Sequence, residues 1–233
     1  MRQPITLHAE VYRRLRSMIW NRQLAPGTRL VLRNLASQLG TSTMPVLEAI
    51  RALERDGLVT QIPKWGAYVT EWTEHDQLEA LHLRRALEGE AARLFVTRAT
   101  GEQKQELIRV NAAFDKAAAV DVMDGLDADV ALHLHIARST GFKRLAQLVE
   151  LAKLPLAMMM RFFHINGGKQ SSLNQVGCHH TLVHHLLGSD PELACRSMWD
   201  HIDGTISAVN TDHEEARGAT AGAAVPQQDL MVL

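Results

Sequence analysis

Cysteine is almost missing from this 233-residue chain: Cys178 and Cys195 are the only two, and neither belongs to a CxxC pair. A disulfide-stapled scaffold is therefore excluded, and both thiols read as small buried or half-buried side chains. Long apolar runs are missing as well. None approaches the roughly 18 residues that a membrane-spanning helix needs, and the opening MRQPITLHAE lacks the core of a signal peptide, so the expectation is a cytoplasmic protein with no membrane partner. Internal repeats and a linker of flexible composition are absent too. What is present is an ordinary soluble composition, 46% apolar and 22% charged, long enough for one or two domains with real cores.

The net charge of −1 conceals an asymmetry. Residues 1–72 hold ten Lys/Arg against five Asp/Glu, or +5, whereas residues 73–233 hold fifteen against twenty-one, or −6. A phosphate backbone attracts the first segment and repels the second.

The basic segment is organised around LASQLGTSTMPVLEAIRALERDGLV, residues 35–59. Leu35, Ala36 and Leu39 share one helical face, and Gly40 supplies the left-handed residue that ends a helix. Thr41, Ser42 and Thr43 offer N-cap hydroxyls, Pro45 fits a first turn, and Val46, Leu47, Ile50, Leu53 and Leu58 recur at helical spacing until Gly57. Two short strands are predicted next, Leu58 to Ile62 and Ala67 to Trp72, around a Pro63-Lys64-Trp65-Gly66 turn. Upstream, Leu7, Val11, Leu15, Met18 and Ile19 make an amphipathic helix, and LAPGTRL turns at Pro26-Gly27 into a strand at Leu30 and Val31. The pattern is a winged helix-turn-helix.

LAPGTRL, LASQLG, PVLEAIRALERDGLV and KWGAYV closely resemble, in order and spacing over residues 7–72, the DNA-binding domain of the GntR family of bacterial transcription regulators. The resemblance implies contacts to double-stranded operator DNA from Arg33, Ser42, Thr43, Arg51, Arg55 and the wing's Lys64. It also exposes a departure. The family's recognition helix reads SRTPVREAL, and Thr43 and Leu47 stand here where its two DNA-touching arginines would be. Trp65 at the wing tip suits either a minor groove or packing on the neighbouring domain, and the packing reading is preferred.

From Thr73 onward the pattern is helical almost without break: Asp76 to Thr97, Gly101 to Ala119, Val122 to Thr140, Lys143 to Phe163, Ser172 to Gly188, and Pro191 to Val209. The fold class is mainly α, with the winged domain at 1–72, an all-α bundle of six to seven helices at 73–212, abutting through Glu71 to Gln77, and a disordered tail at 213–233 rich in Ala and Gly.

Asp129 and His133 are four apart in DADVALHLHIARSTG and stack on one helix face. His179 opens HHTLVHHLL, and His201 lies on the next helix. A carboxylate and three imidazoles from three helices suit a divalent first-row ion such as Zn²⁺ or Ni²⁺. This half looks like the FCD effector-binding domain of the FadR-type subfamily, whose pattern has Asp-x3-His, a His about eleven residues before a Gly-Asp-type break, and a His in the last helix. His179 precedes Asp190 by eleven residues and His201 follows it by eleven, while Gly141 matches the family's turn with Phe142 in place of Asn. The resemblance carries metal binding to Asp129, His133, His179 and His201. It also carries carboxylate binding to Arg84, with Arg161, beside Met158 to Met160, as a second candidate. The competing reading of Arg84 is an ion pair with Glu88 on a solvated helix face. His82 and His164 read as pocket or surface residues, and His135, His180, His184 and His185 are set aside as ligands.

Together these features imply a homodimeric regulator, a repressor tuned on its operator by a small carboxylate at a metal site. Two alternatives stay open: a metal and metabolite sensor that acts through a partner protein, drawing on Thr43 and Leu47, and a metal-dependent hydrolase, disfavoured because no general base is spaced near the histidines.

Overall fold

The computed structural model describes residues 7–120, 122–153 and 179–222. Three helices and a small sheet form the N-terminal unit: α1 (Leu7–Trp20), β1 (Arg29–Leu30), α2 (Leu32–Leu39), α3 (Thr43–Arg55), β2 (Val59–Ile62) and β3 (Gly66–Val69). The strands pair antiparallel in the order β1-β3-β2, with Arg29 opposite Tyr68 and Val59 opposite Val69. Leu15, Val46, Ile50, Leu53 and Leu58, all fully buried or nearly so, are the apolar positions that the periodicity selects.

Gly40 ends α2 in the left-handed region at φ 66°. The residue before α3 is Ser42, but its side chain makes no cap hydrogen bond, and the hydroxyl of Thr41 is buried without a partner among the described residues. The predicted cap hydroxyls therefore do not cap. The phenol of Tyr12 on α1 donates to Asp56, just past α3, at 2.5 Å. Burial and that carboxylate push the Tyr12 phenol up to about 12.

Trp72 packs against the cores of both units. The C-terminal unit then comprises α4 (Glu74–Arg98), α5 (Gly101–Val120), α6 (Val122–Ser139), α7 (143–153 as described), α8 (His180–Leu187) and α9 (Pro191–Gly222). The start of α4 is earlier than Asp76 because Thr73 and Asp76 form a capping box: the Asp76 N–H donates to the Thr73 hydroxyl, and the Thr73 N–H donates to the Asp76 carboxylate at 2.7 Å. The helix predicted to Phe163 is described to residue 153, and of the one predicted from Ser172 the described part is α8. The last helix continues to Gly222 instead of stopping at Val209, so the backbone of 213–222 is helical where a tail was expected. Neither Gly nor Pro interrupts Asn210 to Arg217, and polar residues alone do not stop a helix. Among the described residues no helix is long and apolar enough to cross a membrane.

The long helices α4 and α9 run along each other, as do α5 and α6, around a core of Leu81, Phe95, Leu132, Ile136, Met198 and Ile202. Helices α4 and α9 meet tightly at Gly89. The Trp199 indole N–H donates to the Arg85 carbonyl at 3.0 Å while the Arg85 guanidinium lies 4.7 Å from the indole centroid, and a Cβ added at Gly89 would meet Trp199 Nε1 at 2.1 Å. Gly89→Ala is thus expected to destabilise the bundle by about 1–3 kcal/mol, the usual cost of overpacking, seen as a lowered thermal midpoint. An unchanged midpoint would show that α4 and α9 do not pack this closely.

Candidate metal and effector site

Five helices of the C-terminal unit deliver polar side chains to one buried point. Helix α6 brings Asp129 and His133 one turn apart, α4 brings Arg84 and Glu88 likewise, α7 brings Lys153, α9 brings His201, and His179 sits at the entry to α8. Six of the seven are between 0% and 7% exposed, with His201 half-buried. The four sequence-selected ligands converge: one donor atom from each of Asp129, His133, His179 and His201 lies within 4.8 Å of the other three.

The geometry at the centre is that of acceptors gathered together. His133 Nδ1 lies against Glu88 Oε2 without forming a hydrogen bond of good geometry among the described residues, and its Nε2 faces the centre. That Nε2 lies 3.2 Å from His179 Nε2 and 3.3 Å from Asp129 Oδ1, and His179 Nε2 lies 3.1 Å from the same oxygen. These contacts crowd three acceptor-capable atoms onto one point. Ligands sharing one ion at bonds of about 2.0–2.2 Å have neighbouring atoms separated by roughly 3.0–3.5 Å. The spacings therefore fit a divalent cation, and the donor set of three imidazoles and a carboxylate suits a first-row metal. The His201 ring lies 4.5 Å from that of His179 and 5.2 Å from that of His133, and Phe114 meets His179 edge-on at 4.5 Å.

Burial, and next the His133 and His179 rings, keep His201 well below the usual imidazole value, and burial lowers His179 as well, so both keep a lone pair available. The carboxylates go the other way. Burial alone would raise Glu88 and Asp129, but Arg84, His133 and Lys153 hold Glu88 well below the ordinary range, and Lys153 with the two histidines does so for Asp129.

Arg84 does pair with Glu88, at 2.6 Å from Nε to Oε1, but the pair is buried, not on a solvated face as the competing sequence reading had it. The Nε and Nη2 edge of the guanidinium is taken by Glu88. A ligand can meet Arg84 only from its other side. Arg161, together with Met158 to Met160, His164 and Cys178, lies outside the described residues. Glu88 as the partner of His133, and Lys153, were both missed by sequence reasoning. Lys153 leaves one signal: a single charge between apolar neighbours in LAKLPLAMMM.

His135 is satisfied elsewhere, 2.9 Å from the Gln103 carbonyl and edge-on to Phe95, while His82, His180 and His184 are exposed and His185 is half-buried. On the N-terminal unit, Arg33, Ser42, Thr43, Arg51, Arg55 and Lys64 are all exposed. Thr43, Leu47, Arg51 and Arg55 succeed each other at four-residue steps along one stripe of α3. Trp65 is 66% exposed, so it does not pack on the neighbouring unit. Between the two units lies a cavity of about 290 Å³ lined by Arg13, Arg16, Ser17 and Trp20 of α1 and by Asp127 and Val130 of α6.

Two family profiles match the chain: "Bacterial regulatory proteins, gntR family" over residues 7–69 and "FCD domain" over residues 79–204. An "Uncharacterized HTH-type transcriptional regulator in unstable DNA locus" of Streptomyces ambofaciens is 27% identical over 98% of this chain and 96% of its own length. A "Probable D-xylose utilization operon transcriptional repressor" of Paenarthrobacter nicotinovorans is 29% identical over 75% of this chain and 76% of its own. The regulator YdhC of Bacillus subtilis reaches 34% identity, but the match spans only 43% of this chain and 45% of that protein. Among solved structures, McbR/YncC of E. coli has the same fold, with a TM-score of 0.74 and 21% identity over 90% of this chain and all of its own.

The buried pairs give a stability test. Glu88→Ala strands the Arg84 guanidinium without its partner and is expected to cost about 3–5 kcal/mol in urea denaturation at neutral pH. Because the folded state holds Glu88 well below its ordinary value of 4.5, the penalty is fully present above that pH and shrinks as acid protonates the wild-type carboxyl. A penalty under about 1 kcal/mol would mean that Glu88 and Arg84 are hydrated.

Proposed function

Since the chain belongs to the GntR family of bacterial regulatory proteins and carries an FCD domain over residues 79–204, it is a transcriptional regulator, and we propose that it is a homodimeric repressor tuned by a small carboxylate at a metal site. Members of the family bind operator DNA and are typically dimeric. The observation that carries the proposal is the convergence of Asp129, His133, His179 and His201 inside a helical bundle joined directly to a winged helix-turn-helix. The D-xylose operon repressor among the relatives supports the sign of regulation.

In this reading residues 1–72 are the DNA-binding domain and 73–212 the effector domain. Asp129, His133, His179 and His201 hold Zn²⁺ or Ni²⁺, and Glu88 orients His133 from behind. The bound ion supplies a Lewis-acid position for one oxygen of the effector carboxylate. Arg84 offers its free side to the same group, and Arg161 is kept as a second anion-binding candidate from the sequence. The effector acts by contacting the DNA-competent and incompetent arrangements differently, and DNA then shifts the effector's affinity by the same factor. Two winged domains related by the dimer axis read a pseudo-palindromic site.

Arg33, Ser42, Thr43, Arg51, Arg55 and Lys64 would form the DNA face, and their exposure leaves them accessible. One observation favours a second reading, in which the protein senses metal and metabolite but acts through a partner. On the recognition stripe Thr43 and Leu47 provide no charge, and Leu47 is half-buried.

Two measurements test the proposal. Fluorescence anisotropy with the DNA upstream of the protein's own gene should show binding that exceeds that of a scrambled fragment and weakens with salt. Restoring both arginines, Thr43→Arg with Leu47→Arg, should tighten it by about ten-fold or more, from about 1–3 kcal/mol per contact. Feeble, equal binding to both fragments that the double substitution leaves unimproved would favour the partner-protein reading. Separately, Ala at Asp129, His133, His179 or His201 should lower the metal content measured by mass spectrometry, and unchanged content in all of these variants would remove the site.

A further inference from the structure

Lys153 is the residue of this site whose chemistry the reading above does not use. It is 1% exposed, and its one ion pair among the described residues is to Asp129 Oδ2, at 2.8 Å. No hydrogen bond of acceptable geometry is made by Nζ among those residues. An ammonium carries three donors, and a buried one is stable only when acceptors meet them. Asp129 divides its two oxygens: Oδ1 faces His133 and His179, and Oδ2 faces Lys153. An ion held by Oδ1 and the imidazoles leaves Lys153 beside it, with donors to spare.

The charge balance says what those donors await. Among the described residues the site holds two cationic side chains, Arg84 and Lys153, against two carboxylates, Glu88 and Asp129. It is neutral as it stands, and a divalent cation brings +2 into a buried volume. Residues 154–178, which follow Lys153 in the chain, include Arg161 and Lys169 but no Asp or Glu, so that stretch carries no charge that could offset it. Arg84 has already given one edge of its fork to Glu88. A monocarboxylate would neutralise half of the added charge and leave the Lys153 donors unmet.

We infer that Lys153 determines specificity at this site by taking the second anionic group of a small dianionic effector whose first carboxylate lies on the metal. The effector class is then a short dicarboxylate, or a phosphorylated acid, which also has two anionic groups but carries about −2.5 to −3 at neutral pH and so exceeds the charge of the ion. The inference rests on the metal-and-carboxylate reading of the site. The simpler role, a fixed counter-ion for Asp129, would confer no preference between mono- and dianions.

The test uses the full-length protein loaded with Zn²⁺, its metal content verified first. Failure to retain metal removes the reading on which the inference rests and the inference with it. The loaded protein is then titrated calorimetrically with propionate and butyrate, with malonate and succinate, and with 2-phosphoglycolate. At least one dianion should bind about ten-fold more tightly than the monocarboxylate of its length. The dicarboxylates and 2-phosphoglycolate distinguish a second carboxylate from a phosphate. In Lys153→Met, with metal content retained, the preference should fall below about three-fold. Equal affinities in the wild type, no binding by any dianion, or a preference that survives in Lys153→Met would each overturn the inference. If Lys153→Met does not fold, the same comparison in Lys153→Gln decides the matter, since the amide keeps the length of the side chain but removes its charge.

Discussion

The bundle is built around the cost of burying charge. Arg84, Glu88, Asp129 and Lys153 are each nearly inaccessible to water, on three different helices, and each would be costly if left alone. Their arrangement offsets that cost: Arg84 on Glu88, Glu88 on His133, and Lys153 on Asp129. Apolar packing of Leu81, Phe95 and Leu132 gives the bundle its stability, but it would tolerate small slides of one helix along another. Charged contacts of 2.6–2.8 Å do not tolerate them. The polar chain therefore fixes the register of α4, α6 and α7, and with it the directions of the histidines that make the site.

The same constraint explains why a fold-stabilising ion pair and a ligand site occupy one place. Replacing a buried ion pair by apolar residues of similar volume is often neutral or stabilising, so such a network is poor evidence for stability alone. Here it leaves polar atoms that the fold does not satisfy: His133 Nδ1, His179 Nδ1 and Lys153 Nζ make no hydrogen bond among the described residues. A core shaped only for stability would have satisfied or removed them.

How much of this was legible in the sequence depended on the range of the interaction. Gly40, Pro45 and the spacing of Val46, Ile50 and Leu53 act within a turn or two, and they placed the helix-turn-helix correctly. Of the four candidate ligands, Asp129 and His133 stood out by their four-residue spacing, whereas His179 and His201 were singled out through the resemblance to FCD domains, and the structure brings the four side chains together. Local signals also misled: hydroxyls at 41–43 looked like caps but make no cap bonds, and the Ala- and Gly-rich composition after Val209 suggested a tail where the helix continues to Gly222. Lys153 was illegible because its partner is 24 residues away and on another helix, where no periodicity connects them. Glu88 was seen, but with the wrong environment, since i,i+4 spacing is the same on a wet face and a dry one.

Helix α6 connects these observations to regulation. Asp129 and His133 face the polar centre, whereas Asp127 and Val130 line the cavity against α1. A helix turns 200° in two residues, so Asp127 and Asp129 necessarily point to opposite sides. The wall between the site and the DNA-binding unit is thus one helix thick. On the far side of the cavity, α1 packs along α3, and Tyr12 grips Asp56 just beyond the recognition helix. Under the proposed function, a displacement of α6 on binding an anion would reach the face that Arg16 and Trp20 line, and through α1 the helix that carries Arg51 and Arg55.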